Sequence, residues 1–230
     1  MNASRRPQVV LFDAGNTLVF LDHGALEEAA RLVGSTAPSS ALRDGEPLAK
    51  QRYEQALSAG TSHEEGWNLY VRTMYEAAGL SAAAAQAATE SARACHDAFN
   101  LWHRVPDDLV AALARGQAAG LRYGVVSNSE GKLSDLLARV GLLSYFELVV
   151  DSAIEGVRKP DPEIFRRALA RMGVAASVAL YAGDIPHVDV VGARAAGLDA
   201  VLIDTLGHYP SYSEAPRFAS VAALITTLCA

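Results

Sequence analysis

Cysteine is almost missing from these 230 residues: only Cys95 and Cys229 occur. Neither belongs to a CxxC or a Cys/His pattern, so the fold cannot rest on a zinc site or a disulfide framework. Unpartnered thiols suit a reducing compartment, and a cytoplasmic setting is expected. Basic residues are in the minority, 20 Lys and Arg against 26 Asp and Glu, for a net charge of −6. No Lys/Arg cluster forms a nucleic-acid footprint, and the acidic balance disfavours an anionic membrane surface. Long apolar runs are missing too. No window reaches the ~20 residues that cross a bilayer. The apolar run after "MNASRRPQ" is too short for a signal peptide and is broken by Asp13. No internal repeat is visible.

What is present is ordinary globular material: 50% hydrophobic and 20% charged residues, enough to bury a core without staples. Five short apolar runs read as strands: "VVLF" (9–12), "RYGVVS" (122–127), "FELVVD" (146–151), "VALYAG" (178–183) and "DAVLID" (199–204). They show little alternation, as strands covered on both faces of a parallel sheet do. Helical patterns separate the last four. In "DPEIFRRALARMG", Asp161 is the expected N-cap, Pro162 the first helical residue and Gly173 the stop. "GKLSDLLARVGLL" and "DVVGARAAG" are the other two. This order predicts a doubly wound, Rossmann-like α/β core, residues 1–19 and 106–230.

Residues 20–105 hold no convincing strand. They are rich in Ala, Leu, Glu and Gln, with helices expected near 24–33, 46–59, 63–79 and 82–101. "GSTAPSS" and "SAGTS" read as loops between them. The segment is an expected helical insertion. Trp67, Tyr70, Tyr75, Phe99 and Trp102 read as its core, and Arg52 and Arg72 as its surface. The tail from Gly207 onward reads as a loop and a closing helix.

In an open α/β sheet, ligands bind beyond the carboxyl ends of the strands. There the sequence collects Asp13 and Thr17, Ser127, Lys159, and Asp184 with Asp189. Singly, each is a common turn former, cap or surface charge. Together, three carboxylates would repel and raise one another's pKa values unless a cation sat among them. An all-oxygen donor set suits Mg²⁺. Lys159 adds a fixed positive charge for an anionic substrate.

Four stretches in this order, "FDAGNTL", "VVSNS", "RKPDPEIF" and "GDIPHVDVVGARAAG", resemble the motifs of the haloacid dehalogenase-like hydrolase superfamily. The insertion after the first resembles that family's helical cap. The resemblance implies an enzyme acting on a small phosphorylated metabolite, with Asp13 as nucleophile and Thr17 orienting its loop. Ser127 and Lys159 would hold the phosphoryl group, with Asn16 and Asn128 beside it as substrate-binding residues. Mg²⁺ would be held by Asp13, the Gly15 carbonyl and Asp184, with Asp189 supporting.

Gly15 departs from the pattern. Phosphatase members usually carry a second Asp there, which protonates the leaving group and then activates water. Losing a positioned general acid–base typically costs ~10²–10⁴-fold. His187, His23 or His63 could replace it, although His187 reads first as an exposed loop residue. Three other activities fit a chain without that acid. Dehalogenation of 2-haloacids needs none, but those members have Ser and Asn where this chain has Asp184 and Pro186. Phosphonoacetaldehyde hydrolysis needs a cap lysine, for which Lys50 is the nearest candidate, though it reads as a solvated helix residue. A binding module could keep the pocket without turnover. Nothing in the sequence specifies an oligomeric state.

Overall fold

The structure is a computed structural model and describes residues 6–230. The chain divides into two compact units. One runs to Phe20 and resumes at His103–Ala230; the other is Leu21–Trp102.

In chain order, β1 (Val9–Phe12) is followed by a two-residue strand, β2 (Phe20–Leu21). Four helices come next: α1 (His23–Leu32), α2 (Ser39–Ser58), α3 (His63–Ala77) and α4 (Ala82–Ala98). Strand β3 (Trp102–Arg104) pairs with β2 in a separate two-stranded sheet. That small sheet is absent from the sequence reading, because two or three residues carry no period. The chain continues through α5 (Leu109–Ala118), β4 (Arg122–Ser127), α6 (Leu133–Arg139), β5 (Leu148–Asp151), α7 (Ser152–Glu155) and α8 (Pro162–Met172). It closes with β6 (Ala179–Gly183), α9 (Gly192–Ala195), β7 (Asp199–Ile203), β8 (Arg217–Phe218) and α10 (Val221–Cys229). No described helix is long and apolar enough to cross a membrane.

The main sheet has the order β5-β4-β1-β6-β7-β8, and every pairing in it is parallel. The chain builds outward from β1 to one side through β4 and β5, then returns to the other through β6, β7 and β8. The reversal lies between β1 and β6, the switch point where α/β sheets bind ligands. Five of the six strands coincide with the apolar runs. The sixth, β8, is a two-residue edge strand inside the expected tail loop.

The burial of β1 is complete, with all four side chains inaccessible. On one face its Val9 and Leu11 pack with Val126, Val150 and Tyr181 against Ile164, Phe165, Ala168, Leu169 and Met172 of α8. Helix α8 is delimited as its sequence dictates. The Asp161 side chain accepts from the Glu163 N–H at 2.9 Å, and Gly173 closes the helix in the left-handed region at φ +66°. On the other face, Phe12 meets Tyr123 edge-on at 5.5 Å.

In the helical unit, Leu26, Leu42, Trp67, Tyr70, Met74 and Tyr75 form the core. Helix α2 starts at Ser39, seven residues before the expected 46, and runs through Pro47. Packing outweighs propensity here. A Cβ on Gly45 would lie 2.9 Å from the Cβ of Ala77, so this glycine lets α2 approach α3 closely. Lys50, expected to be solvated, is buried, one turn beyond the buried Glu46. Glu46 accepts from the Tyr70 hydroxyl at 2.8 Å and lies 3.0 Å from His23 Nε2.

One close approach gives a direct test of core packing. A Cβ on Gly116 of α5 would lie 1.7 Å from the Tyr123 hydroxyl oxygen, and that buried oxygen has no hydrogen-bond partner among the described residues. Gly116→Ala is expected to destabilise the fold by ~1–3 kcal/mol through overpacking. Tyr123→Phe removes an unsatisfied polar atom, so adding it is expected to recover most of that loss. Urea midpoints of the two single variants and the double variant check this; strictly additive effects would refute it.

Candidate active site

The parallel register sets the site. Phe12 pairs with Val125 on β4 and with Ala182 on β6, and the Asp13 N–H extends the ladder by donating to the Ala182 carbonyl at 2.9 Å. Asp13, Ser127 and Asp184 therefore leave three adjacent strands at the same sheet edge. After Asp13 the chain turns at once. The Ala14 carbonyl accepts from the N–H groups of Leu18 and Val19 at 2.9 and 3.0 Å. Asn16 takes a left-handed conformation at φ +54°, which asparagine tolerates better than most residues. Gly15 and Asn16 are half-buried, and Thr17 is buried.

Lys159 joins these strand ends. It is 2% exposed, and its Nζ donates to Asp13 Oδ1 at 2.5 Å, Asp189 Oδ1 at 2.7 Å and the Tyr181 hydroxyl at 2.8 Å. Ser127 Oγ donates to the same Asp13 Oδ1 at 2.9 Å. Asp13 Oδ2 has no hydrogen-bond partner among the described residues. The carboxylate is thus divided into a pinned oxygen and a free one.

The lysine is itself held at its main chain. Asn128 donates from Nδ2 to the Lys159 carbonyl at 3.0 Å and accepts the Lys159 N–H on Oδ1 at 2.8 Å. The loop carrying Asn128 is fixed in turn by buried Asp151, which accepts from the N–H groups of Gly131, Leu133 and Ala153. Sequence reasoning passed over Asp151, although it ends an apolar run as Asp13 does.

Beyond β6, the expected short helix opens as a π-helical turn, Pro186–Val191, a form concentrated at functional sites. Asp189 within it accepts the Ile185 N–H on Oδ2 at 2.9 Å while its Oδ1 faces Lys159. Two glycines permit this arrangement. A Cβ on Gly183 would sit 2.4 Å from Asp189 Cγ, and one on Gly192 would sit 3.0 Å from Pro160 Cα. His187 is exposed, as expected for a loop residue.

Tyr181 is the other residue that sequence reasoning overlooked. A tyrosine in a fully buried strand needs a partner for its hydroxyl. Here that hydroxyl lies 2.9 Å from the Val126 carbonyl and 3.1 Å from Asp189 Oδ1. Burial first, and then the charges of Asp189 and Asp13, hold its pKa well above the usual phenol value, so it stays protonated.

The electrostatics follow from burial. Loss of solvent raises the Asp13 pKa, Lys159 lowers it, and Asp189 and Asp184 raise it again, leaving it at about 6. Burial opposes the charge of Lys159, but Asp13 and Asp189 outweigh it and hold the ammonium above its ordinary pKa. Two buried carboxylates, Asp13 and Asp189, share the Lys159 ammonium, and the charge of Asp184 raises Asp13 further. Thr17 Oγ1 is also buried without a hydrogen-bond partner among the described residues. This excess of oxygen donors and negative charge fits a hard divalent cation. Among the described residues, no group of three or more His, Cys, Asp or Glu side chains is arranged to hold a metal by itself. A cation here would rest on two carboxylates, a main-chain carbonyl and water, a set that Mg²⁺ accepts when substrate oxygens complete it.

The comparisons with known proteins show the family. A sequence model described as haloacid dehalogenase-like hydrolase matches residues 7–197, and the chain belongs to that family. Haloacid dehalogenase-like hydrolase domain-containing protein 3 of Bos taurus is 31% identical over 205 residues, 85% of this chain and 81% of that protein. Against the counterpart in Mus musculus, 34% identical over 150 residues, the chain spans 59% of the relative's length. Phosphoglycolate phosphatase of Rhodospirillum rubrum is 32% identical over 228 residues, 95% of this chain and 86% of that one. Among solved structures, YfnB from Bacillus subtilis, described as a HAD-hydrolase bound to magnesium, superposes with a TM-score of 0.69 at 20% identity. It covers 97% of this chain and 99% of its own, which speaks for a shared fold.

The raised Asp13 pKa makes a prediction about stability. The group favours the folded state at acid pH and stops doing so as pH rises through about 6. Without added metal, stability relative to Asp13→Asn is therefore expected to fall by on the order of 3 kcal/mol between about pH 4 and pH 7, at about 1.4 kcal/mol per pKa unit. Denaturant titrations of both proteins across that range check it, and a flat difference would refute it.

Proposed function

We propose that this hydrolase is a Mg²⁺-dependent phosphatase of small phosphorylated molecules that works through an aspartyl-phosphate on Asp13. The observation that carries the reading is the division of the Asp13 carboxylate. Oδ1 is held by Lys159 and Ser127, and Oδ2 is left free to attack. The relative named phosphoglycolate phosphatase supports the substrate class.

In this reading Asp13 Oδ2 forms a bond to phosphorus while the bond from phosphorus to the leaving oxygen breaks. Lys159 and Ser127 hold negative charge as it shifts onto the phosphoryl oxygens. Thr17 orients the turn after Asp13, and Asn128 keeps the main chain of Lys159 in place. Water then attacks the acyl phosphate, giving inorganic phosphate and free Asp13. Asp13, the Gly15 carbonyl and Asp184 would hold Mg²⁺, with Asp189 supporting from behind Lys159, and the ion would supply charge that offsets the repulsion between carboxylate and phosphate. The free state of Cys95 and Cys229 supports a reducing, cytoplasmic setting.

At Gly15 no side chain can protonate the leaving oxygen, and in this reading the proton comes from solvent. Leaving groups of low pKa suffer least from this. Acetyl phosphate and an aryl phosphate are therefore expected to be hydrolysed faster than an alkyl phosphate, with Mg²⁺ required and Asp13→Asn inactive. Gly15 is not among the glycines at positive φ, so a left-handed backbone does not demand glycine there. Gly15→Asp is expected to raise turnover of the alkyl ester by at least ~10-fold, a part of the ~10²–10⁴ available from general acid–base catalysis. Phosphate release from the three esters measures both effects. Activity that survives in Asp13→Asn would overturn the assignment of the nucleophile.

A further inference from the structure

We propose that Tyr181 is a positioning residue: its hydroxyl is the third fixed acceptor that keeps the Lys159 ammonium on Oδ1 of Asp13 and away from Oδ2. The proposal rests on the reading of Asp13 as nucleophile for its kinetic consequence, but its structural part stands alone.

An ammonium has three N–H donors. Those of Lys159 meet three acceptors, at 2.5 Å on Asp13, 2.7 Å on Asp189 and 2.8 Å on Tyr181. Two of the three are carboxylate oxygens. Only the tyrosine acceptor is neutral, so it directs the ammonium without adding charge to a pocket already crowded with carboxylates. The tyrosine has one proton to donate, and the Val126 carbonyl at 2.9 Å is its nearest acceptor besides Asp189. Its lone pairs are thereby left to the lysine.

The hydroxyl cannot drift. Tyr181 pairs in register with Leu11 on β1 and with Ala200 on β7. Its ring is fully buried and stands edge-on to Phe165, centroids 4.9 Å apart at 88°. The sheet therefore sets the distance between this oxygen and the end of β1, where Asp13 begins. Without it, one N–H of a buried ammonium lacks an acceptor. Oδ2 of Asp13 is unoccupied and lies on the same carboxylate that Lys159 already touches. An ammonium that bonded there would engage the attacking oxygen.

Tyr181→Phe keeps the ring and its packing and removes only the acceptor. With an aryl phosphate, kcat is expected to fall ~10–100-fold, the scale on which small misplacements act, with KM within ~3-fold. A residue acting through Lys159 should add nothing once the lysine is gone. In a Lys159→Met background, Tyr181→Phe is therefore expected to leave residual kcat unchanged, whereas additive losses would overturn the proposal. A second readout needs no turnover. The Nζ ammonium resonance of Lys159, assigned by its loss in Lys159→Met, is expected to be protected from exchange with water in the parent protein and exchange-broadened in Tyr181→Phe. An unchanged ammonium signal would overturn the positioning role. If the parent protein hydrolyses no phosphate ester, the phosphatase reading fails, and the ammonium signal still decides the role of Tyr181.

Discussion

One buried ammonium organises this site. Lys159 is the cation that Asp13 and Asp189 share, and it is almost inaccessible to solvent. Burying charges is costly, and breaking such a pair leaves an uncompensated ion in a poor solvent. The structure meets that cost with geometry. Every N–H of the ammonium has an acceptor, and each contact is short. The result is a carboxylate on Asp13 with two unlike oxygens. That asymmetry, rather than the presence of an aspartate, makes the strand end chemically directed.

The surrounding fold serves this one contact. The lysine reaches the site from a segment distant in sequence, and its main chain is clamped at both N–H and carbonyl by Asn128. Asp151 secures the loop that carries the clamp. Gly183 and Gly192 leave room for Asp189 and Pro160 where any Cβ would collide. These residues supply precision, and precision is what a single shared cation requires. A shift of a few tenths of an ångström would weaken a hydrogen bond to one carboxylate and leave its charge less well compensated.

The sequence reading recovered the parts whose signals are local. Apolar runs marked five strands, and Asp161, Pro162 and Gly173 bounded α8 as capping rules require. Strand ends then pointed to Asp13, Ser127 and Asp184, because a parallel sheet brings strand ends together whatever the loops do, and the stretch after the third apolar run pointed to Lys159. Residues whose role lies in tertiary contacts were hidden. Tyr181 looks like one more large apolar side chain in its strand until its hydroxyl is seen against Lys159. Asp151 reads as a turn former. Lys50 reads as solvated because its neighbours in sequence are polar, while its neighbours in space are buried. Gly45 and Pro47 argue against a helix locally, and helix packing overrides them.

Gly15 has two consequences that pull in opposite directions. On the phosphatase reading, it leaves an alkoxide leaving group without a side-chain proton donor at that position. It also spares the pocket a fourth carboxylate. Asp13 is already raised to about 6 by burial and by the charges of Asp189 and Asp184. Another carboxylate two residues away would raise it further, unless it were itself protonated or offset by a cation. With glycine there, Asp13 is mostly ionised at neutral pH even before a cation binds. On the phosphatase reading, this chain therefore keeps a competent nucleophile at the expense of acid catalysis. Such an exchange suits substrates whose leaving groups depart without help.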